Sequence, residues 1–124
     1  MNFSDSSKSI SQIQVTNDKG FVSNAVPVLV NDLPSIEEVE PNNYNKQAQL
    51  IQWPACVNGR IDKPGDFDTF SIQTTKNNQE LLINVYARRL DSPMDSFVDL
   101  MDGKGKWIKG YDDQVDEAFP LITH

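Results

Sequence analysis

The sequence predicts an all-β fold, and three observations lead to this prediction. Short extended segments alternate with turn clusters about every 8–12 residues, as in β-sandwiches and barrels. No stretch keeps the period of an amphipathic helix beyond a turn near residues 45–49. Segment 81–88 is nearly apolar on both of its faces, which is expected of a central strand.

The strands are predicted in chain order from alternation and from the turns that bound them. Ile13 and Val15 alternate with glutamines, and residues 21–24 and 26–30 follow the Asn-Asp-Lys-Gly turn at 17–20. Later turns are predicted at 63–66, 76–79 and 102–105. Between them the predicted strands are 49–51, 57–61, 69–74, 81–88, 97–101 and 107–111.

Composition excludes two classes of partner. The 124 residues carry a net charge of −7, so nucleic acid would be repelled, and no basic patch offsets this charge. No run approaches the ~20 apolar residues of a membrane span, so we predict no membrane insertion. The first residues do not form a secretion signal. Either the protein stays inside the cell or the chain is an internal piece of a longer protein, and we favour the second.

The residue types and their spacing give little support for a catalytic function. Cys56 is the only cysteine, which excludes an internal disulfide and favours a small core residue over a nucleophile. His124 is the only histidine and lies at the chain end, so a Ser-His or Cys-His pair is not expected. Glu38 and Glu40 are too close in sequence to flank a glycosidic bond, although Glu40 with Asp66 could span one. We predict that the chain is not an enzyme.

The most specific motif is Glu-Val-Glu-Pro-Asn-Asn at 38–43. In an extended segment the two glutamates point the same way, and the asparagines add amide oxygens. A second pair of carboxylates follows the Pro-Gly turn in Asp-Phe-Asp at 66–68. Ca²⁺ requires about 6–8 oxygens, and the two segments together offer such a set. A solvated acidic linker beside an ordinary turn is the alternative interpretation.

These motifs, taken in order, resemble the bacterial pre-peptidase C-terminal domain family. The similarity rests on EVEPNN, VNGRID, GDFDTFSI, the segment ending in SPMDSFVDLMD, and YDD, and it spans residues 36 to about 113. Relatives include the collagen-binding domains of clostridial collagenases. The resemblance implies a jelly-roll-like antiparallel β-sandwich at 34–124 that lacks its last strands. Residues 1–33 loosely resemble the end of an Ig-like domain or a linker after a disordered start.

The resemblance also implies a metal and its ligands. In the family the EPN segment and the D-x-D turn bind calcium together. Asn43 stands where many relatives have Asp, which removes one charge from the site. Carried over by motif position, the ligands are Glu38, Glu40, Asn42, Asn43, Asp66 and Asp68.

The function implied is that of a non-catalytic, calcium-binding accessory module of a larger secreted, periplasmic or surface bacterial protein. It would assist docking, folding or latency beside the other domains of its parent protein. One alternative is a carbohydrate- or collagen-binding module, which a strip of exposed aromatic residues would distinguish. Another is a structural spacer between β-domains, which further β-modules in the flanking coding sequence would distinguish.

Two other features leave alternatives open. The acidic cluster at 112–116 is either a solvated loop, a second cation site or part of a partner surface. Trp53 and Trp107 are either half-buried core residues or platforms for a ligand.

Overall fold

The computed structural model describes residues 9–75, 80–112 and 122–123. Within this part of the chain the structure is β-strand and irregular segments, with two 3₁₀ turns and no α-helix, which confirms the all-β prediction. Nor does any helix there have the length and hydrophobicity needed to cross a membrane. The strands are β1 (Ser9–Ile13), β2 (Val26–Val30), β3 (Ser35–Glu37), β4 (Gln49–Ile51), β5 (Cys56–Asn58), β6 (Phe70–Ile72), β7 (Glu80–Leu81), β8 (Phe97–Met101), β9 (Trp107–Asp112) and β10 (Ile122–Thr123). The 3₁₀ turns are Asn45–Gln47 and Arg88–Leu90.

The described strands form pairs. β1 with β2, β7 with β10, and β8 with β9 are antiparallel. By contrast, β3 with β5 and β4 with β6 are parallel, a direction that the predicted antiparallel sandwich did not include. The chain divides into two compact units, one built from residues 9–32 with 80–112 and 122–123, and the other from residues 33–75. The predicted division at 33/34 stays a prediction.

Local turn chemistry explains the two longer hairpins of the first unit. Asn17 Oδ1 accepts the backbone N–H groups of Lys19 and Phe21, each at 3.0 Å. In the β8–β9 turn, Asp102 Oδ1 accepts those of Lys104 at 2.8 Å and Lys106 at 2.9 Å. These hydrogen bonds, the one from Lys106 above all, lower the pKa of Asp102. Asn and Asp favour such turns because their side chains bond backbone groups two residues on.

The second unit places the 38–43 segment beside the start of β6. The Gln49 side chain fixes the beginning of this segment, since its Oε1 accepts Val39 N–H at 2.8 Å and its Nε2 donates to Glu37 O at 3.0 Å. Further along, Thr69 N–H donates to Asn42 O at 3.1 Å. Residues distant in sequence therefore meet on one side of this unit.

Candidate metal centre

Three of the predicted carboxylates lie together in the second unit. One oxygen each of Glu38, Glu40 and Asp68 can be chosen so that all three lie within 4.8 Å of one another. Glu38 continues the β3–β5 ladder, because its N–H donates to Asn58 O at 2.9 Å. Asp68 comes two residues before β6. We call these three residues the carboxylate cluster.

Hydrogen bonds hold the Glu38 carboxylate at both oxygens. Oε1 accepts Asn42 Nδ2–H at 2.7 Å, and Oε2 accepts the backbone N–H of Arg60 at 2.8 Å. Bonds to an ionised acceptor are stronger than bonds between neutral groups, so they fix the direction of this side chain. Each oxygen still has a lone pair for a further partner.

Gly59 lets the backbone come close to the cluster. A Cβ atom at this position would lie 3.1 Å from Asp68 Oδ2 and 3.3 Å from Glu38 Oε2. A larger residue would therefore push one of the two carboxylates away, and the absence of a side chain gives the cluster its present spacing.

Asn42 is fully buried at the centre of the acidic segment. Its backbone N–H donates to Glu40 Oε2 at 2.9 Å and its Nδ2 to Glu38 Oε1. Among the described residues, no donor reaches Asn42 Oδ1 or the buried Oδ1 of Asp68. A buried acceptor without a partner costs about 1–3 kcal/mol, and a nearby cation is one kind of partner that relieves this cost. The side chains present therefore fit a hard cation.

Burial and the neighbouring carboxylates raise the pKa of Asp68 from 3.8 to about 6. Burial is the largest cause, followed by the charge of Glu38 and a hydrogen bond with it, then by the charges of Asp66 and Glu40. Between these two pKa values the folded state binds a proton that the unfolded state has lost. In the metal-free protein this group therefore makes stability fall as pH rises from about 4 to 6.

Asp66 and Asn43, also predicted as ligands, have different partners. Asp66 is 8% exposed, and its Oδ2 accepts Asp62 N–H at 2.7 Å. Asn43 Oδ1 accepts Phe67 N–H at 3.0 Å. Both line a cavity of about 300 Å³ that borders the cluster at Glu40. The other lining residues are Pro41, Asp62 and Lys63.

Sequence reasoning missed three contributors to the cluster. Gly59 and the Arg60 N–H group belong to the VNGRID motif, but residue types alone assign them no role. Gln49 lies on β4, and the sequence pattern there predicts a strand but not the hydrogen bonds that its side chain makes to the acidic segment. The sequence did offer one signal, which is that Gly59 follows the end of a strand. A glycine at such a place often marks a point where another group lies close to the backbone.

The remaining candidates take different positions. Trp53 is half-buried, and its indole N–H donates to Gln73 O at 2.9 Å, so its polar edge is used within the fold. Cys56 is half-buried on β5. Asp112 ends β9 and is exposed, whereas the rest of the 112–116 cluster and His124 lie outside the described residues.

Comparison with protein-family models, with curated proteins and with solved structures found no match for this chain. The relation to the pre-peptidase C-terminal domain family therefore stays a prediction from the order of the motifs.

Proposed function

We propose that this chain is a non-catalytic, calcium-binding accessory module of a larger secreted or surface bacterial protein, built as a jelly-roll-like sandwich of the pre-peptidase C-terminal type. The observation that carries the proposal is the carboxylate cluster together with the two buried oxygens that lack donors. The docking, folding or latency role and the extracellular location belong to the proposal because they follow from the family resemblance.

Within the cluster, each residue has a distinct part. Glu38, Glu40 and Asp68 would hold the ion, and Asn42, whose Nδ2 donates to Glu38, would offer its Oδ1 as a neutral oxygen. Bound calcium would supply the positive charge that lets three carboxylates remain ionised together. Asp66 and Asn43 line the adjoining cavity and are proposed to complete the shell.

A cation here would have a structural effect. The cluster joins the 38–43 segment to Asp68 and lies against Gly59, so it connects three segments that are apart in sequence. Carboxylate and amide oxygens in irregular positions suit calcium, which accepts variable geometry, better than magnesium, which requires a near-ideal octahedron. We therefore propose a fold-stabilising site for calcium.

Direct binding tests this function. Equilibrium dialysis with radioactive calcium should show one site per chain, with a dissociation constant of about 10⁻³ M or tighter, as in extracellular modules. Glu40→Gln should lose binding because it removes a charged ligand and keeps the side-chain size. Asp112→Asn, the matched charge change on β9, should bind as the parent does. Absence of calcium uptake by the parent chain at millimolar concentration would refute the proposal.

Calcium affinity should also depend on pH. Protonation of Asp68, whose pKa is raised to about 6, competes with the ion, so affinity should be about tenfold lower at pH 5 than at pH 7. Calcium titrations at the two pH values measure this ratio. Asp68→Asn should bind more weakly and lose most of the pH dependence. Equal affinity for the parent chain at both values would contradict an ionised Asp68 ligand.

A polymer-binding module is the second candidate, because one observation favours it. Two aromatic side chains, Phe97 and Trp107, are exposed on β8 and β9. The polymer would be a collagen-like protein or a polysaccharide.

A further inference from the structure

The outward face of the β8–β9 pair carries two exposed aromatic residues. The register places Phe97 opposite Asp112, Asp99 opposite Gly110 and Met101 opposite Trp107. Phe97 is 56% exposed and Trp107 is 58% exposed, whereas Tyr111 on the opposite face is buried. We call these outward residues the aromatic face; they are Phe97, Asp99, Met101, Trp107, Gly110 and Asp112.

The Trp107 ring is held in place rather than left free to rotate. Its Nε1–H donates to Asp99 Oδ1 at 2.9 Å. A Cβ atom on Gly110 would lie 3.6 Å from Cζ2 of the indole and 2.8 Å from Asp99 Oδ1, so the ring rests where Gly110 has no side chain. An aromatic surface that is already ordered loses little conformational entropy when a ligand covers it.

Charge on this face is negative. Asp99 and Asp112 belong to it, whereas Lys109 points to the opposite face, with its Nζ 4.7 Å from the Tyr111 ring centroid. The chain as a whole has a net charge of −7. Exposed aromatic rings beside carboxylates match a cation, which is attracted both by the face of a ring and by the negative charge.

The spacing of the residues on the aromatic face favours an extended peptide as the ligand that brings the cationic groups. Successive outward positions of a strand lie about 6–7 Å apart, and side chains two residues apart in an extended peptide have the same spacing. A neutral polysaccharide could donate hydroxyl hydrogen bonds to the two carboxylates but brings no positive charge to them, whereas a cationic side chain does both. A polyanion would be repelled.

We propose that the aromatic face binds an extended polypeptide segment in which arginine or lysine recurs at every second residue. One cationic side chain stacks on Trp107 and pairs with Asp99, and the next lies against Phe97 and pairs with Asp112. Arginine fits best because its planar guanidinium both stacks on rings and bonds carboxylates. The surface lies in the first unit, so its binding does not depend on the calcium site.

The test uses the whole 124-residue chain and a fluorescein-labelled decapeptide of alternating Arg and Ser, in 150 mM salt with chelator present. Fluorescence anisotropy should show saturable binding, and the Glu-Ser decapeptide should not bind. Trp107→Leu should weaken binding about fivefold because it removes the ring. Asp99→Asn should weaken it similarly while keeping an oxygen acceptor for the indole, so a folding defect in one variant leaves the other informative.

Two matched controls separate this surface from general charge attraction. Asp18→Asn removes the same charge from the 17–20 turn, and Phe21→Leu removes an aromatic side chain that is 71% exposed elsewhere. Both should bind the Arg-Ser peptide as the parent does. The proposal is overturned if the parent chain does not bind the peptide, if Trp107→Leu and Asp99→Asn both bind unchanged, or if Asp18→Asn weakens binding equally. Trp107-dependent binding of a neutral polysaccharide in place of the peptide would overturn it in favour of a glycan.

Discussion

Calcium should raise the melting temperature of this chain by about 10 °C when its free concentration is one hundred times the dissociation constant. Under that condition, binding to the folded state alone adds about 2.7 kcal/mol to the free energy of unfolding. The stabilisation would arise because the ion offsets the repulsion among three carboxylates and gives a partner to buried oxygens that have no hydrogen-bond donor. Thermal unfolding followed by circular dichroism, with calcium and with chelator, measures the shift.

Controls assign the shift to the carboxylate cluster. Magnesium at the same concentration should give a smaller shift, because it gives up its water reluctantly and demands octahedral geometry. Asp112→Asn should keep the full calcium response, since Asp112 lies at the end of β9 in the other unit. Unfolding curves that superimpose with calcium and with chelator would show that the cluster does not bind the ion at the concentrations used.

Strands bounded by local turn chemistry were predictable from the sequence. β8 matches the predicted 97–101, and β9 extends the predicted 107–111 by one residue, because Asp102 organises the intervening turn through bonds to its own neighbours. β2 matches 26–30 and follows the turn that Asn17 orders, whereas the predicted strand residues 21–24 contribute only an isolated bridge between Val22 and Thr16. In these cases the turn residues that predict a strand are close to that strand in the sequence.

Pairing between distant segments was not predictable in this way. The parallel pairs β3–β5 and β4–β6 depend on contacts across the chain, which periodicity does not encode. Segment 81–88 was predicted as one strand, yet the ladder includes only Glu80–Leu81 of this region, and a 3₁₀ turn begins at Arg88. An apolar run indicates that its residues are buried, but it does not show that they pair with a neighbouring strand.

The candidate site shows the same division between local and long-range information. Alternation predicts that Glu38 and Glu40 point the same way, and the structure brings their carboxylates together. The same rule paired Asp66 with Asp68, but Asp66 ends a turn in which its N–H donates to Lys63 O at 3.1 Å. Since residues in a turn do not alternate like those of a strand, Asp66 faces the cavity whereas Asp68 joins the cluster.

Asp68→Asn should change stability in opposite directions with and without calcium. In chelator at pH 7.5 the variant should be more stable than the parent by roughly 1 kcal/mol, because it relieves the repulsion and burial that raise the pKa of Asp68, with an allowance for solvent screening. In saturating calcium it should be less stable than the parent, since a charged ligand is lost and most of the calcium contribution disappears with it.

The reversal of sign distinguishes a metal site from an ordinary acidic surface. On a solvated surface, neutralising one carboxylate gives the same small effect in both conditions, and this is the result expected of the matched change Asp112→Asn. Chemical denaturation of both variants in calcium and in chelator provides the four free energies needed. If Asp68→Asn destabilises the chelated protein, the cluster is already compensated by its own hydrogen bonds and has no need of a cation. If the variant is stabilised equally in both conditions, the three carboxylates repel one another but do not share an ion.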